Sequence, residues 1–202
     1  MRTLRIRVIA CGLAALAILL VGCTDDRVRP SDTLPPTSSP TPTATTEDLP
    51  GPPGYPFPPE ALEYTEAGAL AFFNYYIDLL NKTTETLDSE PIRLLSGADC
   101  FGCERRVELY NADRSAGLRY EGGETTIDPG TVGVQLRPDV QGGLGAIVTS
   151  GGSAAPLSVL DASGAPVPDR SYPSYDLSVA VSIAWFAGEL TWQVASLSLV
   201  VA

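Results

Sequence analysis

The pattern of hydrophobic and polar positions divides the chain into three segments. Residues 1–22 have three arginines among their first seven positions and continue as an uncharged, mostly apolar run. Residues 23–59 are polar and rich in proline, serine and threonine. Residues 60–202 repeat apolar positions with the periods of helices and strands. The pattern therefore predicts a targeting segment, a tether and one folded domain.

The first segment has the parts of a secretory signal peptide. Its N-terminal region is positively charged, because it carries Arg2, Arg5 and Arg7 and no acidic residue. The apolar run at 8–22 is shorter than the roughly 20 residues that a membrane-spanning helix needs. Asp25 follows soon after and ends the run. We therefore expect export across the cell membrane, with an uncleaved anchor helix as the alternative.

The end of this segment resembles a known processing site. Leu20-Val21-Gly22-Cys23 resembles the lipobox of bacterial lipoproteins. The resemblance implies cleavage between Gly22 and Cys23 and a thioether-linked diacylglycerol on Cys23. Two fatty chains hold a protein stably on a membrane, whereas a single myristoyl chain does so only marginally. We therefore expect a lipid anchor on the extracytoplasmic face of the cell membrane; a plain signal peptide followed by an unmodified cysteine is the alternative.

The tether at 23–59 has the composition of a disordered segment. Eleven of the eighteen prolines of the chain lie here, together with many serines and threonines. Such a sequence has too little apolar surface to offset the entropy lost on ordering, and its prolines favour an extended polyproline II conformation. An inert spacer is the simplest interpretation. O-glycosylation and docking of a partner domain are the alternatives.

Composition excludes several classes of function. Once residues 1–22 are removed, the chain has 10 basic and 24 acidic side chains, which argues against nucleic acid as a partner. The chain contains no histidine, so a Ser-His-Asp triad, a Cys-His dyad and a histidine-ligated metal site are excluded. We expect no cofactor and no metal.

The first part of the domain has helical periodicity. Apolar residues at helical spacing predict one helix from about 60 or 65 to 86, with Thr65 as the N-cap of the shorter version. Ser89-Glu90-Pro91 predicts the start of a second helix that ends at Gly97. Asp99 is the predicted N-cap of a third helix, which runs from Cys100 to about residue 117.

The remainder of the domain has the pattern of antiparallel strands. Glycine-rich turns separate candidate strands at 118–121, 124–127, 131–137, 144–150 and 156–161. Large residues then alternate with small ones from Leu177 to Trp185, and a turn at Ala187-Gly188 leads into a returning strand that ends near Val201. The alternation slips near Ala195-Ser196, which predicts a β-bulge and a curved sheet.

These segments together resemble a known family. Phe73-Asn74-Tyr75-Tyr76, Asp99-Cys100-Phe101-Gly102-Cys103 and the hairpin from Trp185 to Val194 look like the nuclear-transport-factor-like, or SnoaL-like, cone fold. The set also resembles a group of uncharacterised lipoproteins of high-GC Gram-positive bacteria. The resemblance implies an α+β domain at 60–202, with three N-terminal helices packed on one curved antiparallel sheet. It implies no particular activity.

We expect a non-enzymatic binding or interaction module rather than an enzyme. Its partners would be the membrane through the lipid anchor, and then a small apolar ligand, an envelope protein or a second copy of the chain. The enzymatic alternative is an isomerase-like reaction in an apolar pocket, for which Tyr76 and Asp176 are the candidate groups.

Two cysteines of the domain, Cys100 and Cys103, form a C-x-x-C motif. On the oxidising side of the membrane a structural disulfide is the favoured interpretation, and its four-residue loop would contribute only about 2 kcal/mol. A redox-active pair is the alternative, because a helix N-terminus lowers the pKa of a thiol. Half of a zinc site is disfavoured, since the chain has no second pair of ligands of that kind.

Overall fold

A computed structural model of the protein describes residues 49–138, 143–189 and 191–202. The predicted signal peptide, the lipid-attachment site at Gly22 and Cys23, and the tether as far as residue 48 lie outside these described residues. Within the described ranges, no helix combines the length and the apolar character needed to cross a membrane.

The last residues of the predicted tether are part of the folded structure. Phe57 is buried, and its ring packs edge-on against Phe72 at 5.7 Å and Tyr75 at 5.2 Å between ring centroids. The Tyr75 hydroxyl donates to the backbone carbonyl of Tyr55 at 2.7 Å. Aromatic residues here supply the apolar surface that the rest of the tether lacks, so the folded part begins before residue 60.

Three helices follow a short 3-10 turn at Pro59–Leu62: α1 at Glu66–Thr86, α2 at Glu90–Leu94 and α3 at Phe101–Ser115. The predicted cap at Thr65 is confirmed, because its Oγ1 accepts from the amide of Gly68 at 2.9 Å. The predicted cap of α3 at Asp99 is wrong by one residue. Cys100 is the N-cap, and its Sγ accepts from the amide of Cys103 at 3.3 Å.

Eight strands follow the helices, and every pairing between them is antiparallel. They are β1 Arg119–Gly122, β2 Thr125–Ile127, β3 Gly133–Pro138, β4 Leu144–Ala154, β5 Leu157–Leu160, β6 Pro166–Tyr172, β7 Tyr175–Phe186 and β8 Thr191–Val201. The strand β6 was not predicted, and its two prolines, Pro166 and Pro168, are uncommon in strands. It lies at the edge of its sheet, where a missing backbone donor is tolerated.

The strands form two sheets, which corrects the predicted fold. The small sheet has the order β1-β5-β6, and the large sheet has the order β2-β4-β7-β8 with β3 also paired to β4. The prediction of three N-terminal helices on one curved sheet is therefore wrong, because the helices occupy the middle of the chain and the strands divide between two sheets. The two sheets separate after β4. The backbone carbonyl of Pro156 accepts from the amide of Gly123, and the following strand, β5, pairs with β1.

The C-terminal hairpin provides the buried face of the large sheet, as the alternation predicted. The large side chains of β7 that alternate along the strand are all buried: Leu177, Val179, Val181, Ile183 and Trp185. The predicted bulge is confirmed in β8. Ser182 pairs with Ser196 and Ile183 pairs with Val194, which leaves Ala195 as the extra residue.

Aromatic rings join the helices to this hairpin. Trp192 is buried, and its ring lies 4.9 Å from Trp185, 5.6 Å from Tyr64 and 6.5 Å from Phe72 between centroids. The Tyr64 hydroxyl also donates to the carbonyl of Gly145 in β4 at 3.2 Å. These contacts fix α1 against the large sheet, since offset and tilted aromatic pairs contribute beyond their buried area.

The start of α3 approaches the backbone of β8 very closely. A Cβ atom at Gly102 would lie 2.3 Å from the carbonyl oxygen of Leu197. No real side chain fits at that distance from a backbone atom, so glycine at this position of the C-x-x-C motif is a packing requirement.

We expect Gly102→Ala to lower the free energy of unfolding by about 1–3 kcal/mol, because α3 or β8 must shift to admit the methyl group. Urea unfolding of the purified protein measures the change. Gly188→Ala is the matched control, since nothing lies within 4 Å of a Cβ at that turn. Equal stability of the two variants would show that α3 does not depend on this contact.

Candidate functional site

A cleft of about 400 Å³ lies where α1, α3 and strands of both sheets meet. Its apolar walls come from every one of these layers: Leu80, Leu109, Leu157, Val159, Leu177 and Leu199. Three arginines and four tyrosines also line it. A concave, mostly apolar site with a few convergent polar groups is the usual form of a small-molecule site.

The side chain of Asp113 organises one wall of the cleft. Asp113 is only 6% exposed, and both of its carboxylate oxygens accept from Arg170, at 2.9 Å from Nη1 and 2.7 Å from Nη2. The Tyr120 hydroxyl donates to the same carboxylate. Because the three residues belong to α3, β6 and β1, the cluster joins the small sheet to α3.

These contacts shift the pKa values of Asp113 and Tyr120 in opposite directions. The hydrogen bonds from Arg170 lower the pKa of Asp113, with a smaller contribution from Tyr120 that acts in the same sense. Burial, followed by the hydrogen bond to the carboxylate, raises the pKa of Tyr120. At neutral pH the cluster therefore holds a carboxylate, a guanidinium and a neutral phenol.

A second set of hydrogen bonds orients Arg106. The Thr84 hydroxyl donates to the carbonyl of Leu80 at 3.0 Å, so the Tyr110 hydroxyl must supply the hydrogen of the 2.8 Å contact between Tyr110 and Thr84. The phenol oxygen of Tyr110 then accepts from Nη1 of Arg106 at 3.2 Å. This series of hydrogen bonds holds one guanidinium nitrogen of Arg106 against the neutral hydroxyl of Tyr110. The other N–H donors of Arg106 bind no carboxylate among the described residues.

The mouth of the cleft is both aromatic and cationic. Tyr172 and Tyr175 line it and are exposed, as is Arg105. Arg105 makes no hydrogen bond or ion pair with any residue that the structure describes. The mouth is therefore accessible to a ligand that combines apolar and charged parts.

The C-x-x-C motif lies at the base of α3, next to the cleft. The structure supports the predicted disulfide, because the sulfur atoms of Cys100 and Cys103 are bonded to each other. Both cysteines are buried. The intervening Gly102 lines the cleft, and Arg105 and Arg106 follow in the next turn of the helix. The disulfide thus fixes the first turn of α3, directly before the turn that carries these arginines.

The two residues considered for catalysis lie elsewhere. Tyr76 is fully buried in the core and donates to Sγ of Cys103 at 3.7 Å; burial is the main cause that raises its pKa to about 12. Asp176 is exposed on β7, opposite Ser153 of β4. Neither residue is among those that line the cleft.

Asp113, Tyr120 and Arg170 were not predicted as site residues from the sequence. One signal could have indicated Asp113: Cys103, Val107 and Tyr110 mark the buried face of α3, and Asp113 continues the same face. A charged residue at a core position predicts a buried partner. The partner could not be identified, since Arg170 lies 57 residues away on a strand that was not predicted.

A larger depression of about 660 Å³ lies at β4 and β7 next to the loop before α3. Small residues such as Gly97, Gly145 and Ala184 line much of it. Its polar lining residues, among them Asp99, Arg137 and Gln193, form, in the described structure, no buried ion pair such as that of Arg170 with Asp113. Among the residues that the structure describes, no group of three or more cysteine, aspartate or glutamate side chains could hold a metal ion. The cleft is therefore the candidate site.

Comparison with protein families gives a match over most of the folded part. The family model described as "Family of unknown function (DUF6318)" matches residues 42–182. That range contains the three helices, the whole small sheet, and β2, β3, β4 and the first part of β7 in the large sheet. No curated protein matches the chain in sequence.

Three solved structures show a weak likeness. The intermembrane space region of chloroplast protein ARC6 is 12% identical with a TM-score of 0.41, over 60% of this chain and 88% of that one. Aln2 from a Streptomyces species is 15% identical with a TM-score of 0.37, over 76% and 93%. A periplasmic fragment of TraM is 8% identical with a TM-score of 0.31, over 60% and 80%. Likenesses this low support no argument about function.

We expect Asp113→Asn to lower the free energy of unfolding by about 3 kcal/mol at neutral pH, because it leaves the guanidinium of Arg170 without its carboxylate. The expected loss is at the low end of the range for a buried pair, since the Arg170 side chain is 29% exposed. The exposed Asp176→Asn is the matched control and should change stability by less than about 0.5 kcal/mol.

The pH dependence of this difference has a definite sign. Because the pKa of Asp113 is lowered in the folded protein, its stabilisation is present above the ordinary value of about 3.9 and is lost as the pH falls below it. Chemical unfolding at a series of pH values should therefore show a constant difference in the free energy of unfolding between the native protein and Asp113→Asn near neutrality. This difference in the free energy of unfolding should become smaller below about pH 4. A difference that becomes larger in acid would contradict the ion pair.

Proposed function

Since the chain belongs to the DUF6318 family, whose function is unknown, we propose a function from the geometry of the cleft. The protein is a non-enzymatic binding module that takes up a small, partly apolar molecule outside the cytoplasm. A lipid on Cys23 anchors it to the cell membrane. The observation that carries the proposal is the cleft of about 400 Å³ between the two sheets.

The size and lining of the cleft support a binding role. Ligand sites in proteins typically have volumes of about 300–1,000 Å³ and combine apolar walls with a few placed polar groups. Here Val159 and Leu177 are buried at the apolar wall, while Tyr110 and Tyr120 are already held by hydrogen bonds to neighbouring residues. A preformed site reduces the ordering cost of binding.

The ionisation of the site favours binding over chemistry. A general base works best when its pKa lies near the operating pH. The pKa of Asp113 is lowered by Arg170, and that of Tyr120 is raised by burial, so both are displaced away from neutrality. The chain has no histidine to take the role instead.

The burial of the disulfide favours a structural role for the C-x-x-C motif. Thiol–disulfide exchange requires a thiolate to reach one of the sulfur atoms. Cys100 and Cys103 are 2% and 0% exposed. A structural role is also consistent with the close packing of Gly102 on β8.

The anchor rests on the sequence alone. The basic start, the apolar run at 8–22 and the Leu20-Val21-Gly22-Cys23 motif agree with each other, and a proline-rich tether follows directly. Together they support a lipid-anchored protein on the extracytoplasmic face.

We expect the cleft to retain a small molecule when the protein is purified from its host. Native mass spectrometry of the chain from residue 23, with Cys23→Ala to remove the anchor, should detect a bound mass that denaturation releases. Leu109→Asp should abolish it, because the change places a charge on the apolar wall. Leu94→Asp is the control, since Leu94 on α2 is similarly exposed (43% against 48%) but lies outside the cleft. Equal retention by both variants would place any ligand elsewhere.

We expect radiolabelled palmitate to be incorporated into the full chain and not into Cys23→Ala. The native protein should sediment with membranes, whereas the variant should be released because two acyl chains no longer hold it. Unchanged fractionation of Cys23→Ala, together with no label in the native protein, would contradict the anchor.

A further inference from the structure

We propose that the ligand of the cleft is an amphipathic anion, whose charged head binds Arg105 and Arg106 and whose apolar chain lies between the two sheets. The inference rests on the proposed function of the cleft and adds the chemical class of the ligand. It follows from where the chain places its few positive charges and how they are paired.

Positive charge is scarce in this part of the chain and is concentrated at the cleft. Residues 49–202 contain eight basic and nineteen acidic side chains. Three of their seven arginines line the cleft: Arg105, Arg106 and Arg170. No acidic side chain is among the lining residues of the described structure. After Arg170 is neutralised by Asp113, the lining of the cleft therefore carries the positive charges of Arg105 and Arg106 and no negative charge.

The pairing of the arginines separates two roles. Outside the cleft, Arg93 pairs with Glu90 and Arg114 pairs with Asp88, whereas the described structure shows no ion pair for Arg119 or Arg137. Within the cleft Arg170 is neutralised by Asp113 and serves to hold the wall. Arg105 and Arg106 have no carboxylate partner among the described residues, although acidic side chains are in excess. Their guanidinium groups are therefore available to a ligand.

The chemistry of these two groups selects an anion. A guanidinium presents a planar set of donors that matches the oxygens of a carboxylate or a phosphate, and hydrogen bonds between ionised partners are about twice as strong as neutral ones. Arg106 is pre-oriented by its bond to Tyr110, which lowers the ordering cost of a contact.

Exposure along the cleft gives the orientation of the ligand. The mouth carries the exposed Arg105, with Arg106 half-buried beside it. The deeper wall consists of buried aliphatic side chains, such as Leu80, Val159 and Leu177. A ligand with its charge at the mouth and its chain inside satisfies both regions, whereas the reverse orientation would bury an unpaired charge.

The test uses three probes that share one alkyl chain and differ only in the head group: decanoate, 1-decanol and decylammonium. Isothermal titration calorimetry with the chain from residue 23, carrying Cys23→Ala, measures each affinity below the micellar range. We expect decanoate to bind on the order of tenfold more tightly than 1-decanol, and decylammonium to bind most weakly. Raising the salt concentration should weaken decanoate binding but leave 1-decanol binding unchanged.

Variants at the two arginines give a second readout. Arg105→Gln, at an exposed position, and Arg106→Gln should each reduce the affinity for decanoate several-fold and leave that for 1-decanol unchanged. Arg93→Gln removes the same charge at an exposed site outside the cleft and should change neither affinity. Thermal unfolding of each variant verifies that it remains folded.

The outcomes separate this inference from the proposed function. Equal binding of decanoate and 1-decanol, insensitive to both arginine variants, would overturn the anionic head group and leave the cleft as a binding site. Binding of none of the probes would overturn both.

A further arm distinguishes the source of the anion. Sedimentation with phosphatidylglycerol vesicles, in the absence of a free probe, would assign the head group to a membrane lipid. We expect no sedimentation, because the acidic surface of the domain is repelled by anionic lipid.

Discussion

The buried carboxylate of Asp113 is the constraint on which the candidate site depends. A charged side chain that is only 6% exposed is tolerated only when it is paired and hydrogen-bonded. Here Arg170 and Tyr120, from two strands of the small sheet, donate hydrogen bonds to the carboxylate. Since both donors bind one carboxylate, they tie the small sheet to α3 along one wall of the cleft. The cleft lies between this part of the structure and the strands of the large sheet.

The helix α3 is held at both ends, and the residues of the site lie between. At its start, Gly102 packs on the carbonyl of Leu197 in β8, and the disulfide closes the first turn. At its end, Asp113 binds the small sheet. The turns between carry both unpaired arginines of the cleft. A helix fixed to one sheet at each end keeps these side chains in place without a ligand, which is the form of pre-organisation that binding favours.

Local patterns in the sequence predicted the elements better than their assembly. The alternation along β7, the bulge at Ala195 and the cap at Thr65 each depend on neighbouring residues, and each was confirmed. The second sheet depends on β5 pairing with β1 and β6 instead of β4, which no periodicity encodes. The pair of Asp113 and Arg170 joins positions 57 residues apart. Because the residues of the site are far apart in the sequence, only a general binding function could be predicted, without the residues that form the site.

The net charge of the chain is a poor guide to the charge of its ligand. The acidic surface repels anions at long range, but at physiological salt the Debye length is about 8 Å, so charges on the far side of the domain are largely screened at the cleft. At the cleft itself, Asp113 is already paired with Arg170, while Arg105 and Arg106 lack carboxylate partners among the described residues. An anion therefore experiences weak repulsion on approach and strong, directional hydrogen bonds on arrival. The sign of the ligand follows from how the local charges are paired, and the overall excess of acid has little influence on it.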